Sequence, residues 1–232
     1  MKPILQVEYL GRIKYKEAWE YQEKLFQNTV DLKVRNRREQ LQLTTTNYLL
    51  FVEHYPVYTL GKSGDFENLL VSEAELKQKG AEFFKINRGG DITFHGPGQL
   101  VSYPILDLDH FFTDVHKYLR YLEEAVIQTL AHWNIKATRS EGETGVWLDV
   151  DTPFARKICA MGIRASRWVT MHGLALNVDT DLSFFELMIP CGIAGKGVTS
   201  MKRELGDNCP SLAEVQHVFL QRFTTLFGCE LV

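Results

Sequence analysis

The chain has 232 residues, of which 45% are hydrophobic and 24% are charged, and its formal net charge is −3. This composition is typical of an ordinary globular protein, and the slight acidity argues against a dedicated nucleic-acid binder. Because no apolar run approaches the ~20 residues that a bilayer-spanning helix needs and the N-terminus lacks a signal-peptide core, the sequence predicts one cytoplasmic domain over residues 1–232 with neither membrane nor nucleic-acid partners.

Apolar periodicity predicts a strand and then a long helix at the start of the chain. After a strand at 6–10, Ala18 and Leu25 lie on one face of a helix predicted from Tyr15 to Arg38. Its basic end, residues 33–38, fits either a solvated helix end that suits the helix dipole or a docking patch for an acidic protein. The further elements of the first half are a buried strand at 48–52 that continues past a proline to residue 61, a short helix at 73–78, and strands at 83–86 and 100–106.

The second half of the chain predicts a helix, several strands and a last helix. Asp114 is suited to cap a helix that runs to Trp133 and carries Leu122 on its apolar face. The later elements are strands at 145–148, 157–163 and 173–178 and a helix at 211–227. Because several strands follow one another, we expect an antiparallel or mixed sheet.

The segment from Arg88 to Gly98 has four glycines within eleven residues. Glycine is expected where φ must be positive or where the backbone closely approaches another group, such as a ligand. Apolar and polar residues alternate from residue 92 to 95, which predicts a short strand with Thr93 and His95 on its polar face. A tight hairpin whose arginine and histidine bond local carbonyls is the alternative interpretation.

Cys191 has the sequence context of a nucleophile. It lies between Pro190 and Gly192, in a loop whose free backbone N–H groups suit the oxyanion of a tetrahedral intermediate. A free cysteine is also commonly an inert core residue, as we expect Cys159 to be in its apolar strand. Both interpretations of Cys191 stay open on context alone.

Three side chains are candidates to accept the proton of a cysteine nucleophile, which is mostly protonated at neutral pH. They are His95, His172 and Lys157. Lys157 lies in an otherwise apolar run, where loss of hydration would favour its neutral amine. A strand lysine that simply reaches the solvent is the alternative.

No pattern for a metal or a nucleotide is complete. The four cysteines form no CxxC pair and a reducing compartment leaves them as thiols, so we expect no metal. The segment 192–197 has two residues between its glycines where a P-loop has four, and it lacks the Ser or Thr that should follow the lysine. The segment after Gly96 lacks the last glycine of a dinucleotide fingerprint. We therefore expect no cofactor.

Five blocks of the sequence resemble the lipoyl/octanoyl transferase family of the lipoate pathway (LipB). They are VEHYPVYTLG at 52–61, RGGDITFHGPGQ at 88–99, KICAMGIR at 157–164, HGLALNV at 172–178 and IPCG at 189–192. The blocks occur in the order of the family and extend over most of the chain. Ala160, where some members carry serine, is a mild variation.

The resemblance implies an α+β fold shared with lipoate ligases and biotin protein ligases, a mixed sheet with flanking helices in a single domain. It also implies that an octanoyl or lipoyl group passes from acyl carrier protein to a lysine ε-amine in the lipoyl domains of 2-oxoacid dehydrogenase E2 subunits and in the glycine cleavage H protein, as the first step of protein lipoylation. Cys191 would be the acyl-accepting nucleophile and Lys157 its activator. The acyl-site residues that the resemblance implies are Arg88, Gly89, Gly90, Asp91, Ile92, Thr93, Phe94, His95, Ala160, Met161, Gly162, Gly173, Leu174 and Ala175.

Two other functions compete with acyl transfer. An ATP-dependent lipoate or biotin ligase on the same fold would need an adenylate pocket but no nucleophilic cysteine. A binder of lipoyl domains without catalytic activity would tolerate the loss of Cys191. The presence of Cys191 together with Lys157 favours the transferase.

Overall fold

The computed structural model describes residues 2–189 and 197–232. In chain order, its strands are β1 (Ile4–Ile13), β2 (Asn47–His54), β3 (Val57–Leu60), β4 (Glu82–Lys85), β5 (Ile92–His95), β6 (Gln99–Ile105), β7 (Thr138–Ser140), β8 (Glu143–Leu148), β9 (Arg156–Ser166), β10 (Val169–Asn177), β11 (Gly197–Val198) and β12 (Glu230–Leu231). Its α-helices are α1 (Tyr15–Glu39), α2 (Glu73–Gln78), α3 (Val115–Ala131), α4 (Met201–Leu205) and α5 (Leu212–Phe227). Within these described ranges, no helix has the length and apolar character needed to cross a bilayer.

The described strands form two sheets. The larger has the order β12-β1-β2-β6-β10-β9-β8-β7, with β11 paired to β9. In it, β1 runs parallel to β2 and β12, β11 runs parallel to β9, and the other neighbours are antiparallel. The smaller sheet has the order β4-β3-β5, in which β3 is parallel to β4 and antiparallel to β5.

Helices cover both faces of the larger sheet. Successive side chains of a strand point to opposite faces, so neighbouring residues of β6 pack against different helices. On β6, Val101 packs in the cluster that holds Phe26 of α1. The preceding Leu100 packs in the cluster that holds Leu122 of α3 and Phe219 of α5. This arrangement confirms the expected mixed sheet with flanking helices.

The ends of the two later helices follow from local capping chemistry. The Asp114 side chain accepts a hydrogen bond from Lys117 N at 2.9 Å and begins α3, as the sequence predicts. Ser211 and Glu214 form a reciprocal capping box at the start of α5, which satisfies N–H groups that the helix itself cannot. The helix ends at Gly228, whose φ of 63° is in the left-handed region that favours glycine.

The strand predicted from residue 48 to 61 is two strands in different sheets, which corrects the prediction. β2 ends at His54 in the larger sheet, and β3 begins at Val57 in the smaller one. Pro56 lies between them and has no N–H group to continue a ladder. Its carbonyl instead accepts a hydrogen bond from Glu82 N at 3.0 Å. The chain thereby leaves the larger sheet and starts the smaller one.

The basic end of α1 is engaged within the molecule. Lys33 pairs with the carboxylates of Asp107 and Asp109, and Arg35 pairs with Glu39 one turn later. At 1.5 Å per residue, this end of the helix lies about 30 Å from its first turn. Part of the positive charge of this helix end is therefore neutralised within the molecule, and the docking patch stays a prediction.

Candidate active site

A cavity of about 380 Å³ is bounded by the part of the glycine-rich segment that precedes β5, residues 88–91, and by strands β9 and β10. This volume is within the range of small-molecule sites. The cavity wall contains Lys157 and all but one of the acyl-site residues that the sequence predicts. These wall residues are Arg88, Gly89, Gly90, Asp91, Ile92, Thr93, His95, Lys157, Ala160, Met161, Gly162, Gly173, Leu174 and Ala175.

Phe94 is the predicted site residue that does not line this cavity. Its ring stacks on Phe184, with centroids 4.6 Å apart, in the apolar cluster of the smaller sheet. Its neighbours Thr93 and His95 point the other way and belong to the cavity wall. The predicted alternation of an apolar and a polar face along β5 therefore explains why Thr93 and His95, and not Phe94, reach the cavity, which Ile92 also lines at the start of the strand.

Glycines let the segment before β5 lie directly against its neighbours. A Cβ atom at Gly162 of β9 would be 2.8 Å from Gly89 O, and one at Gly61 would be 2.2 Å from Gly90 O. Gly89 N donates a hydrogen bond to Ile163 O at 2.9 Å, which ties the segment to β9. The close approach that the glycines indicate is thus made, at least in part, to the protein's own backbone.

The Arg88 side chain holds this segment in place by hydrogen bonds. Its Nη2 donates to Thr59 O at 2.7 Å and to Thr59 Oγ1 at 3.0 Å, and its Nη1 donates to Gly89 O at 3.0 Å. The side chain is buried, with 8% of its surface exposed. The guanidinium therefore places one fixed positive charge in the cavity wall and holds β3 to the glycine-rich segment.

Three buried histidines lie close together at the cavity. His95 and His172 line the wall, and the ring of His54 packs edge-on against His95 at 5.9 Å. Burial lowers the pKa of His54 to about 4. It lowers the pKa of His95 and His172 to about 3, helped by neighbouring His54 at His95 and by Arg88 at His172. Neutral imidazoles with such low pKa values are weak bases, so both are poorer proton acceptors than the sequence indicates.

Lys157 reaches the cavity beside a bulge in β9. Strands β8 and β9 pair Val146 with Cys159 and Trp147 with Lys157, so β9 has one extra residue at this point. Bulges redirect side chains and are frequent next to active sites. The Lys157 Nζ atom lies 4.5 Å from the ring centroid of Trp147, and its Cε would lie 3.6 Å from a Cβ atom at Gly145. The Lys157 side chain therefore packs against Gly145 and Trp147.

Cys191 lies outside the described residues. Met188 and Val198, which precede and follow it in the chain, line the cavity. Among the other cysteines, burial raises the pKa of Cys159 well above its usual range and that of Cys229 to about 11. These two thiols stay protonated at neutral pH, which agrees with the inert role expected for Cys159.

Several polar wall residues were not singled out by the sequence. They include Tyr15, Gln99, Tyr103 and Asn177. Gln99 directly follows the glycine-rich segment and Asn177 ends the apolar run of β10, which are the only local signals. Their part in the site comes from strand pairing, since Asn177 lies opposite Gln99 in the sheet.

Residues 14–224 match the model of the lipoyl protein ligase A/B catalytic domain family. The chain is 66% identical over 231 residues to the octanoyltransferase of Christiangramia forsetii, covering 100% of this chain and 99% of that one. It is 64% identical over 232 residues to the octanoyltransferase of Flavobacterium johnsoniae, covering all of both chains.

Solved structures show the same fold at low sequence identity. The bi-partite lipoate protein ligase of an archaeal lipoylation system from Thermoplasma acidophilum superposes with a TM-score of 0.71 at 17% identity, over 100% of this chain and 86% of that chain. A lipoate-protein ligase A bound with ATP gives 0.69 at 17% identity, over 100% and 88%. At these identities the likeness extends to the fold alone.

Proposed function

The chain belongs to the lipoyl protein ligase A/B catalytic domain family and is an octanoyltransferase, and from this premise we propose that it moves an octanoyl or lipoyl group from acyl carrier protein to lipoyl domains. The acceptor is the ε-amine of one lysine in E2 subunits of 2-oxoacid dehydrogenases and in the glycine cleavage H protein. The reaction takes place in the cytoplasm, as the first step of protein lipoylation.

In the first half-reaction, Cys191 attacks the thioester carbonyl of the octanoyl carrier protein. Lys157 takes the thiol proton and returns it to the departing carrier thiolate, so a C–S bond forms as another breaks. Loop N–H groups hold the oxyanion of the tetrahedral intermediate. This exchange of one thioester for another is nearly isoenergetic and needs no ATP.

In the second half-reaction, the lysine amine of a lipoyl domain attacks the thioester on Cys191. A C–N bond forms, the C–S bond breaks, and the proton lost by the amine passes through Lys157 to the cysteine thiolate. Conversion of a thioester to an amide runs downhill, so this step also needs neither nucleotide nor metal.

The observation that carries this proposal is the joint position of Lys157 and a largely apolar wall around one cavity. The apolar side chains in the wall include Leu119, Ile158, Met161, Ile163, Leu174, Phe185, Met188 and Val198. Burial of each methylene of an acyl chain contributes ~0.8 kcal/mol, so such a wall favours a saturated eight-carbon chain. Met188 and Val198, which precede and follow Cys191 in the chain, also line the cavity.

Intact-protein mass spectrometry tests the covalent step. Wild type, Cys191→Ser and, as a matched control, Cys209→Ser are mixed with octanoyl carrier protein without ATP. We expect an octanoyl adduct on wild type and on Cys209→Ser that hydroxylamine removes and a lipoyl domain chases off. Cys191→Ser should carry no such thioester.

Two results would contradict the proposal. An adduct of equal yield on Cys191→Ser that neutral hydroxylamine removes would place the thioester elsewhere. Absence of any adduct on wild type, with lipoyl-domain modification only when free octanoate and ATP are supplied, would establish the ligase function instead.

A further inference from the structure

A chain of buried hydrogen bonds joins the cavity wall to the backbone of Lys157. His95 Nδ1 bonds to Gln99 Oε1 at 2.8 Å, and Gln99 Nε2 bonds to Asn177 Oδ1 at 2.9 Å. Asn177 Nδ2 donates to Thr199 O at 3.0 Å, and Thr199 N donates to Lys157 O at 2.9 Å. Of these residues, His95 has the largest exposure apart from Lys157, at 7%.

The donor and the acceptor of every hydrogen bond in this series follow from the bond at the Thr199 carbonyl. The Thr199 carbonyl can only accept, so Asn177 must present its NH₂ group there and its Oδ1 towards Gln99. Gln99 must then donate to Asn177, and its Oε1 accepts from His95. A second bond from Gln99 Nε2 to Phe94 O at 3.2 Å requires the same amide orientation. His95 is therefore protonated on Nδ1.

This tautomer leaves a lone pair on the Nε2 atom of His95. The ring lines the cavity and stacks on Tyr15 with an interplanar angle of 6°. In residues 2–189 and 197–232, no side chain or backbone group hydrogen-bonds to this nitrogen. Burial lowers the pKa of His95 to about 3, so the nitrogen remains an acceptor at neutral pH. The cavity wall thus offers one oriented acceptor.

The proposed function supplies a reactant with a matching donor. An octanoyl chain and a thioester carry no N–H or O–H group, so neither gains from an acceptor in the wall. The ε-amine of the incoming lysine does carry N–H groups. Its lone pair must also point at the thioester carbonyl before a C–N bond can form.

We propose that Gln99 and Asn177 are positioning residues for the second half-reaction: their amides hold His95 in the Nδ1–H tautomer, so that its Nε2 accepts an N–H of the acceptor lysine and orients its amine in the cavity. His95 stays neutral throughout. The proton lost by the amine leaves through Lys157, as in the proposed function on which this inference rests.

The two half-reactions are measured separately in single turnovers. Gln99→Met and Asn177→Leu remove the amides with little change in volume. Each enzyme is loaded from octanoyl carrier protein and then mixed with a lipoyl domain. We expect acylation at the wild-type rate and, in Gln99→Met, transfer slowed about ten- to a hundredfold, the loss that one oriented hydrogen bond represents. Asn177→Leu should slow transfer less, because Phe94 O still accepts from Gln99 Nε2 and keeps the amide orientation. The slowing should appear at saturating lipoyl domain, with the half-saturating concentration unchanged.

Asn47→Leu is the matched control. Asn47 is also a buried amide that joins strands, since it donates to Ile4 O at 3.1 Å and accepts from Asp107 N at 2.9 Å. It is absent from the cavity wall described above. Removal of its amide should leave the ratio of transfer to acylation unchanged.

Nitrogen-15 NMR of the wild-type imidazoles tests the tautomer without any substitution. We expect His95 to be protonated on Nδ1, and this preference to be lost in Gln99→Met, where no side-chain oxygen faces Nδ1. Protonation of His95 on Nε2 in wild type overturns the inference, as does equal slowing of both half-reactions in Gln99→Met and Asn177→Leu. If wild type forms no octanoyl adduct, the proposed function itself fails, which is a different result.

Discussion

At the scale of single residues, the proposed reaction depends on proton transfer by Lys157. Its stem packs along Gly145 and its amine lies over the ring of Trp147. Arginine would keep the positive charge and the contact with the ring, but it cannot lose a proton in proteins. Lys157→Arg should therefore slow formation of the octanoyl adduct about a hundredfold or more, the usual contribution of proton transfer, and leave KM for the carrier substrate unchanged.

Quenched-flow measurements of the rate of octanoyl-adduct formation by Lys157→Arg and by Lys202→Arg check this expectation. Lys202 lies on α4 and pairs with Asp207, so its exchange should have no effect. Wild-type acylation by Lys157→Arg would show that charge, and not proton transfer, is what Lys157 supplies.

The sequence indicated part of this site at residue level. Lys157 stands out because a lysine is unusual in an apolar run, and Arg88 to His95 because of the clustered glycines. Gln99 and Asn177 carry no such signal, since amides are common at strand ends. Only the antiparallel pairing of β6 with β10 brings them together. Contacts of that kind depend on register, which local sequence does not specify.

At the scale of elements, the contact between the glycine-rich segment and β9 shapes the cavity. A Cβ atom at Gly162 would be 2.8 Å from Gly89 O and 3.0 Å from Arg88 Cδ. The first of these is a backbone atom, so the segment must move. Gly162→Ala should cost about 1–3 kcal/mol of unfolding free energy and should reduce octanoyl transfer. Gly197→Ala, whose Cβ would meet no atom closer than 3.5 Å, is the control.

Urea unfolding and single-turnover transfer should be measured on the same preparations of these two variants. Full stability in Gly162→Ala would mean that the segment tolerates displacement from β9. Loss of stability in Gly197→Ala of the same size would show that the effect is not specific to the contact.

Helices were easier to predict than the arrangement of strands. The predicted bounds of α3 and α5 agree closely with the structure, because helix ends depend on local capping residues such as Asp114, Ser211 and Gly228. The split of residues 48–61 between two sheets was not predictable in this way. β3 runs parallel to β4, which lies more than twenty residues later, and such partners are not encoded nearby.

At the scale of the whole molecule, the buried histidines make folding stability depend on pH. An unfolded histidine binds a proton near pH 6.5, whereas burial lowers the folded pKa of His54 to about 4 and of His95 and His172 to about 3. The unfolded state therefore binds more protons below pH 6.5, and stability falls as the pH falls. The contribution is fully present above pH 6.5 and declines until the folded groups protonate. The described carboxylates with shifted pKa values have lowered ones, so the stability that they contribute is lost mainly below pH 5.

Urea unfolding at pH 7, 6 and 5 measures this dependence. Each histidine contributes a slope of about 1.4 kcal/mol per pH unit once it is fully protonated in the unfolded state, so three give up to about 4 kcal/mol per unit near pH 5. His95→Gln should reduce the slope by the equivalent of one proton, because glutamine does not titrate. A stability that is constant from pH 7 to 5 would show that the three imidazoles charge in the folded protein as readily as in the unfolded one. His95 would then lose its acceptor lone pair as the pH falls through about 6.5, so this measurement also bears on the second half-reaction.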